Sequence, residues 1–134
     1  MVCIYCGNKT KVTNSRLQKR ANTVWRRRQC LKCSAIWTSV EAPETRSAFR
    51  VVKDESIHEF VPEILFISLY EALRHRKTAV TDAAALSQTV MQDLYSLRQA
   101  ALSTGDIKKA AHAVLVKFDK TAAAVYQAAT SHNL

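Results

Sequence analysis

Four cysteines arranged as two C-x-x-C pairs constrain the fold of this chain more than any other feature. Cys3 pairs with Cys6 and Cys30 with Cys33, and 23 residues separate the two pairs. Two tight turns at this spacing can supply four thiolates to one tetrahedral zinc ion. A redox dithiol is the competing interpretation, but a redox C-x-x-C usually opens a helix, and neither pair here does. The sequence therefore predicts one structural Zn²⁺ bound by all four cysteines, with no open coordination position.

The segments next to these cysteines are rich in strand-forming residues. Between the pairs, residues 11–16 and 23–27 are predicted strands joined by a turn at 18–22. Residues 35–40 are expected to add a third strand. About forty residues cannot build a self-sufficient core, so zinc would contribute much of the folding free energy. The first module is therefore predicted to be a three-stranded zinc ribbon over residues 1–42.

Local features of this ribbon lead to further expectations. Gly7 can adopt a left-handed turn after the first pair easily, whereas Ser34 after the second pair adopts one less readily. Trp25 either packs within the ribbon or stacks on a base or sugar. Trp37 is expected in the core.

Positive charge is concentrated in the part of the chain that holds the cysteines. Residues 1–40 contain nine basic residues and no acidic one, and residues 1–53 carry a net charge of +10. Residues 54–134 contain eight basic and nine acidic residues, a net charge of −1. This shift predicts two modules with different partners, joined at the polar, proline-broken segment 41–45.

The basic residues around the second strand predict a nucleic-acid surface. Backbone held by the metal would present the run that precedes Cys30 rigidly, with Arg26 and Arg28 on one strand face and Arg27 on the other. A solvated charge cluster is the alternative, but forty residues without an acid favour phosphate binding. The predicted DNA-binding residues are Arg16, Lys19, Arg20, Arg26, Arg27 and Arg28.

The rest of the chain predicts a mainly helical module that begins with a short β-hairpin at 47–53 and 57–60. Helices are predicted from Pro62, from Thr81-Asp82 and after a break at 103–106. Buried stripes are expected at Leu65, Leu69, Ala72 and Leu73, then Leu86, Val90, Leu94 and Leu97, then Ile107, Ala111, Val114, Phe118, Ala122 and Val125. The uncharged segment after Lys120 is either a helix end packed on its own core or a subunit contact.

Composition narrows the class of protein. With 48% hydrophobic and 23% charged residues, the chain lacks the signature of disorder. No uncharged apolar run approaches the ~18 residues of a membrane helix, and the start lacks a secretory signal, so a cytoplasmic protein is expected. The sequence thus predicts an α+β fold, a zinc ribbon followed by a helical domain over residues 47–134. Four histidines without ligand spacing are assigned no site: His58, His75, His112 and His132.

Four motifs closely resemble the zinc ribbon of the bacterial NrdR repressors, whose pattern is C-x-x-C, D-S-R, I-R-R-R-R-x-C-x-x-C and R-F-T-T-F-E. The matching residues are Cys3-x-x-Cys6, Thr13-Asn14-Ser15-Arg16, Val24-Trp25-Arg26-Arg27-Arg28-Gln29-Cys30-x-x-Cys33 and Trp37-Thr38-Ser39-Val40-Glu41. The later residues are similar to that family's ATP-cone, through Arg50-Val51-Val52-Lys53-Asp54, Phe60, the helix at 65–73 and Leu115-x-x-Phe118-Asp119-x-x-Ala122. The resemblance covers nearly the whole chain and is more specific in the ribbon.

The resemblance implies a repressor of ribonucleotide reductase genes that is bacterial, cytoplasmic and nucleoid-associated. Its ribbon is expected to bind double-stranded DNA, while ATP or dATP in the cone sets the form of a homo-oligomer. The nucleotide-binding residues it implies are Arg50, Val51, Val52 and Lys53.

The chain also departs from the family pattern. Asn14 replaces the Asp of D-S-R, and Trp25 replaces the first of four arginines. Glu55 stands near the expected Gly of V-x-K-R-D-G, and Ile64 replaces a Lys. A carboxylate at that turn would repel nucleotide phosphates. The cone is therefore expected either to bind nucleotide weakly or to serve only in oligomerisation.

Three functions compete at this point. The first is a sequence-specific DNA-binding repressor. The second is a zinc-ribbon module that docks on RNA, polymerase or another protein and uses its helices to dimerise. The third is an enzyme, which the missing phosphate loop and the absence of a clustered acid–base pair oppose. We expect the chain not to be an enzyme.

Overall fold

The fold comes from a computed structural model that describes residues 1–131. The chain forms two compact units, Met1–Pro43 and Glu44–Leu134, here called the ribbon unit and the helical unit. The predicted α+β class is confirmed, because an N-terminal three-stranded sheet with a four-cysteine cluster precedes a mainly helical part. Among the described residues, no helix combines the length and apolar character needed to cross a membrane.

The ribbon unit is one antiparallel sheet of three strands in the order β1-β2-β3. The strands are β1 (Thr10–Gln18), β2 (Thr23–Cys30) and β3 (Ile36–Glu41). All three were expected, and the chain reverses between β1 and β2 at residues 19–22. Within Met1–Pro43, all of which the structure describes, only Cys3 and Cys30 are buried. A unit with so small a core depends on something other than apolar packing for its stability.

The strand register divides the ribbon sheet into two faces, since cross-strand partners lie on the same side. Arg26 is opposite Ser15 and Ser39, whereas Arg27 is opposite Asn14 and Thr38. The Arg26 face consists of Thr10, Val12, Ser15, Leu17, Val24, Arg26, Arg28, Cys30, Trp37, Ser39 and Glu41. The Arg27 face consists of Lys11, Asn14, Arg16, Gln18, Thr23, Trp25, Arg27, Gln29, Ile36, Thr38 and Val40.

Trp37 is only half-buried, so its expected place in the core is wrong. The ribbon is a single-layered sheet, and a side chain on either face of such a sheet has no second layer to cover it. Trp25, on the other face, is also half-buried.

The helical unit joins a small sheet to four longer helices and one short helix. In chain order its elements are α1 (Thr45–Ala48), β4 (Arg50–Lys53), β5 (Ser56–Glu59), α2 (Pro62–Leu73), α3 (Ala79–Ser96), β6 (Ala101–Ser103), α4 (Thr104–Phe118) and α5 (Lys120–Ser131). The large side chains buried completely are Leu69, Leu73, Leu94, Leu102, Leu115 and Val90.

A third strand that the sequence did not predict completes the sheet of the helical unit. Strand β6 lies parallel to β4, which gives the order β5-β4-β6. It is only three residues long, too short for an alternating pattern, and Ser103 at its end also caps α4. The buried side chain of Leu102 anchors it to the core.

The long third helix expected from the sequence is divided at Asp119. This residue has extended backbone, and its carboxylate accepts a hydrogen bond from the amide of Ala122 at 3.0 Å, which starts α5. The break rotates the apolar stripe, so Phe118 and Val125 are exposed, and Leu97 beyond α3 is exposed as well. Within α4 and α5, the buried residues outside the predicted stripe are Leu115, Ala123 and Tyr126.

The turn between β4 and β5 places two non-glycine residues in left-handed conformations. Asp54 has φ 48° and Glu55 has φ 64°. A two-residue hairpin turn of this type requires positive φ at both positions, and glycine adopts positive φ at the lowest energetic cost. We expect Glu55→Gly to raise the free energy of unfolding of the helical unit by about 1 kcal/mol. Denaturant unfolding followed by helical circular dichroism measures this change.

Ser56→Gly is the matched control for that substitution, because Ser56 lies in extended β5. It is expected to lower the same free energy by ~0.5 kcal/mol, since glycine gains freedom in the unfolded chain. Equal effects from the two substitutions would contradict the explanation by backbone conformation.

Candidate metal centre and nucleic-acid interface

The four cysteines converge at one end of the ribbon. Their sulfur atoms all lie within 4.8 Å of one another. The Sγ–Sγ distances are 3.7 Å from Cys3 to Cys33 and 3.5 Å from Cys6 to both Cys30 and Cys33. A tetrahedral ion with Zn–S bonds of ~2.3 Å needs sulfur atoms about 3.8 Å apart. The cluster therefore fits one zinc ion.

Backbone amides orient the sulfur atoms toward this centre. Tyr5 donates to Sγ of Cys3 at 3.5 Å, and Lys32 and Cys33 donate to Sγ of Cys30 at 3.3 and 3.4 Å. Each turn ends on a left-handed residue. The expected Gly7 has φ 72°, and Ser34 also adopts φ 59° despite its side chain.

Hydrogen bonds prepare part of the cluster as thiolates, the form that binds metal. The backbone amide and then the side chain of Asn8 lower the pKa of Cys6 to about 6. The backbone amide of Cys33 lowers the pKa of Cys30. The pKa of Cys33 is raised to about 12: the amide of Ala35 favours its thiolate, but the sulfurs of Cys30 and Cys6 compete for the proton and outweigh it.

A single structural Zn²⁺ is therefore the cofactor of the ribbon unit. All four sulfurs face one another, and the cluster holds the turn before β1 and the turn before β3 together. Four protein ligands leave no open position for a reacting water molecule, so this type of centre stabilises the fold.

The Arg26 face of the sheet carries arginines that are already bound to neighbouring side chains. Arg26 forms an ion pair with Glu41 at 2.8 Å. Arg28 donates from Nε to Ser39 Oγ at 2.9 Å, and its guanidinium carbon lies 5.9 Å from the centroid of the Trp37 ring. Both guanidinium groups thus have protein partners on this face.

The Arg27 face carries positive charge without any carboxylate. Its basic residues are Lys11, Arg16 and Arg27, and all three are exposed. Among residues 1–131, no ion pair or hydrogen bond to a protein group engages the Arg27 guanidinium, in contrast to its two neighbours. Lys19 and Arg20, also predicted to bind DNA, are exposed in the turn between β1 and β2.

A cavity of about 500 Å³ lies in the helical unit between the β4–β5 hairpin and helices α2, α4 and α5. Its wall includes Val51 and Lys53, two of the four residues implied for nucleotide binding. The guanidinium of Arg50 instead donates to the backbone carbonyls of Arg46, Ser47 and Phe49 around α1. Val52 is not among the residues that line the cavity.

Residues that the sequence analysis left without a role also line this cavity. Among them are His58, Glu59 and Lys108, and the Lys108 ammonium donates to the carbonyl of Thr130 at 3.2 Å. No spacing pattern joins these positions, since they meet only when α4 and α5 fold against the hairpin.

His75 belongs to a network that its sequence position does not indicate. Its Nε2 lies 3.1 Å from Asp119, which also accepts from Arg76 at 3.0 Å. Arg76 in turn donates to Asp82 at 2.8 Å. The amide of Ala122, followed by His75 and Arg76, lowers the pKa of Asp119 to about 2. These bonds connect the α2–α3 junction with the α4–α5 junction. His112 has no assigned role, and His132 and the end of the uncharged tail lie outside the described residues.

A four-cysteine cluster on a basic three-stranded sheet, followed in the chain by a helical unit, places this protein in the class of zinc-ribbon proteins. Comparison with known proteins identifies the family. The family model described as "Transcriptional repressor NrdR-like, N-terminal domain" matches residues 1–41. The chain belongs to the NrdR family, because curated relatives match it over most of their length.

Three of these relatives, each named transcriptional repressor NrdR, show the extent of the match. The one from Bordetella petrii is 31% identical over 121 residues, which span 90% of this chain and 77% of the relative. The one from Chlamydia muridarum is 31% identical over 124 residues, 91% of this chain and 80% of the relative. The one from Caldicellulosiruptor saccharolyticus is 26% identical over 121 residues, which span 90% of this chain and 79% of the relative.

Proposed function

We propose that this protein is a zinc-dependent transcriptional repressor that binds duplex DNA through the Arg27 face of its ribbon. The observation that carries this proposal is the exposed, carboxylate-free Arg27 face beside a sulfur cluster that fits zinc. The names of the relatives support the regulatory role. We propose that Arg26 and Arg28 stabilise the Arg26 face through Glu41 and Ser39 and do not bind DNA. The sequence had predicted both as DNA-binding residues.

The geometry of a β-ribbon suits this task. The major groove of DNA admits a two-stranded β-ribbon, and the β1–β2 hairpin ends in a turn that carries Lys19 and Arg20. Together with the three cations of the Arg27 face, this gives five positive groups along one hairpin. Phosphate neutralisation by such groups releases counterions, which makes binding strong at low salt and sensitive to ionic strength.

A salt titration of DNA binding tests this proposal. We expect zinc-loaded protein to bind a mixed-sequence duplex with a log–log salt slope of about −4.5 per ribbon if all five groups neutralise phosphates. Fluorescence anisotropy measures the affinity, and protein stripped of metal by a chelator is the control that should lose it. Absence of duplex binding at low salt, or a preference for single-stranded RNA, would favour the docking-module alternative instead.

We further propose that the cavity of the helical unit binds ATP or dATP and that the bound nucleotide sets the state of a homo-oligomer. The apolar wall, which includes Val51, Leu65 and Ile107, suits a base and sugar, and Lys53 and Lys108 are placed to meet phosphates. Ile64 and Glu59 also line the cavity, so its positive charge is small for a triphosphate. We therefore expect weak nucleotide binding.

Adding one charge to the cavity tests the nucleotide proposal. Ile64→Lys is expected to tighten ATP and dATP binding about fivefold, because a new attraction at ~4 Å in water is worth ~1 kcal/mol. Ile67→Lys is the matched control, since Ile67 is an exposed residue of the same helix outside the cavity wall. Calorimetric titration with light scattering gives affinity and mass together. If neither the wild type nor Ile64→Lys gives binding heat or a change in mass with nucleotide, the nucleotide proposal is refuted.

The proposed activity is regulatory and not enzymatic. The relatives are named repressors, and the four-cysteine centre has no free coordination position for catalysis. Because a bacterial repressor binds chromosomal DNA, we expect the protein to be located in the cytoplasm, on the nucleoid.

A further inference from the structure

We propose that Asn14 and Arg27 form a cross-strand pair that recognises two neighbouring bases in the major groove, with Asn14 on an adenine and Arg27 on a guanine. This inference rests on the proposed binding of DNA by the Arg27 face. It adds the residues that select the sequence to those that supply affinity.

The register places the two side chains beside each other. Asn14 of β1 is the direct partner of Arg27 of β2, and both are exposed. Directly opposed side chains have Cβ atoms about 5 Å apart, while successive base pairs are stacked at ~3.4 Å. The pair can therefore reach bases that are adjacent or one step removed.

A β-bulge sets the position of Asn14. The register shifts between Val12 and Asn14, and the extra residue, Thr13, donates from its hydroxyl to the carbonyl of Arg27 at 3.3 Å. Bulges redirect side chains and increase local twist. This hydrogen bond fixes the bulge to the residue whose side chain forms the other half of the pair.

The chemistry of the two side chains is complementary to two different bases. An asparagine amide offers one acceptor and a donor, which match N6 and N7 of adenine, and the arginine fork matches O6 and N7 of guanine. Neither side chain has a hydrogen-bond partner among residues 1–131, so binding a base would break no hydrogen bond within the protein. Arg26, one residue away, is bound to Glu41 instead.

Selection of binding sites from a randomised duplex pool tests this pair with the full, zinc-loaded chain. The variants are Asn14→Ala, Arg27→Ala and the control Ser15→Ala, whose side chain lies on the Arg26 face of the same strand. We expect Asn14→Ala to erase an adenine preference at one position and Arg27→Ala a guanine preference at a neighbouring position. On the selected duplex, each loss should be about 10- to 100-fold in discrimination. Metal content and circular dichroism establish that every variant is folded.

The possible results distinguish failure of the Asn14–Arg27 pair from failure of the proposed DNA binding. If the wild-type chain selects a sequence and Asn14→Ala selects the same one, the pair is refuted while DNA binding stands. If Arg27→Ala weakens all sequences equally and lowers the salt slope by about 0.9, Arg27 contacts a phosphate and the pair is also refuted. A changed preference in Ser15→Ala overturns the assignment of the face. Failure of the wild-type chain to bind any duplex removes the proposed function as well.

Discussion

Replacing Cys30 by serine is expected to release the zinc ion, unfold the ribbon unit and abolish DNA binding. Cys30 and Cys3 are the only buried side chains in Met1–Pro43, so the metal centre takes the place of a core. Structural zinc contributes ~10–16 kcal/mol in small zinc domains, far more than forty residues can replace by packing. A serine hydroxyl stays protonated near neutral pH and is a poor ligand for zinc.

Metal analysis, circular dichroism and DNA affinity on the same sample measure this prediction. The helical unit should keep its helical signal, because Glu44–Leu134 forms a compact unit with its own core. Leu31→Ala is the matched control: Leu31 lies between the two cysteines of the second pair, is 62% exposed and offers no ligand. It should retain one zinc per chain. Full zinc content in Cys30→Ser would show that this cysteine is not a ligand.

The ribbon could be predicted from the sequence because its signals are local. The spacing of the cysteines specifies the metal, and the strand-forming residues between them leave few ways to connect the turns. The alternation of side chains along a strand also separates Arg27 from Arg26 and Arg28. The bulge at Thr13 was not predictable, since one additional residue in a strand changes neither composition nor apparent period.

Partners from distant parts of the chain account for what the sequence did not indicate. The register of β2 and β3 brings Glu41 close to Arg26, and the two side chains form an ion pair. Arg26 is therefore not a free cation on the sheet surface. Asp119 divides the last helix because its carboxylate caps α5 and also accepts from His75 and Arg76, 44 and 43 residues away. The pattern of apolar residues continued through this position, so periodicity alone predicted one helix.

The cavity of the helical unit, the candidate regulatory site, is also only partly predictable from local sequence. The resemblance indicated a single run, residues 50–53, but side chains alternate along a strand. Val51 and Lys53 therefore line the cavity, while Arg50 binds the carbonyls around α1. The rest of the wall comes from β5, α2, α4 and α5, and α4 and α5 reach the hairpin only in the folded chain.

The two faces of the ribbon sheet should differ sharply in their contribution to DNA binding. The double variant Arg16→Ala with Arg27→Ala removes two exposed guanidinium groups of the Arg27 face. Two lost charge-assisted contacts of ~1.5 kcal/mol each amount to about a 100-fold weaker affinity. The magnitude of the log–log salt slope should also fall by about 0.9, because Arg16 neutralises a phosphate whereas Arg27 is proposed to contact a base.

The double variant Arg26→Ala with Arg28→Ala is the matched control, since it removes the same charge from the same hairpin. These guanidinium groups are bound to Glu41 and Ser39, so they have less to offer a phosphate. We expect a change in affinity below about tenfold and a nearly unchanged salt slope, with zinc content measured in both variants. If the Arg26–Arg28 variant loses more affinity than the Arg16–Arg27 variant, the opposite face of the sheet binds DNA, because both variants carry the same net charge and only the face differs.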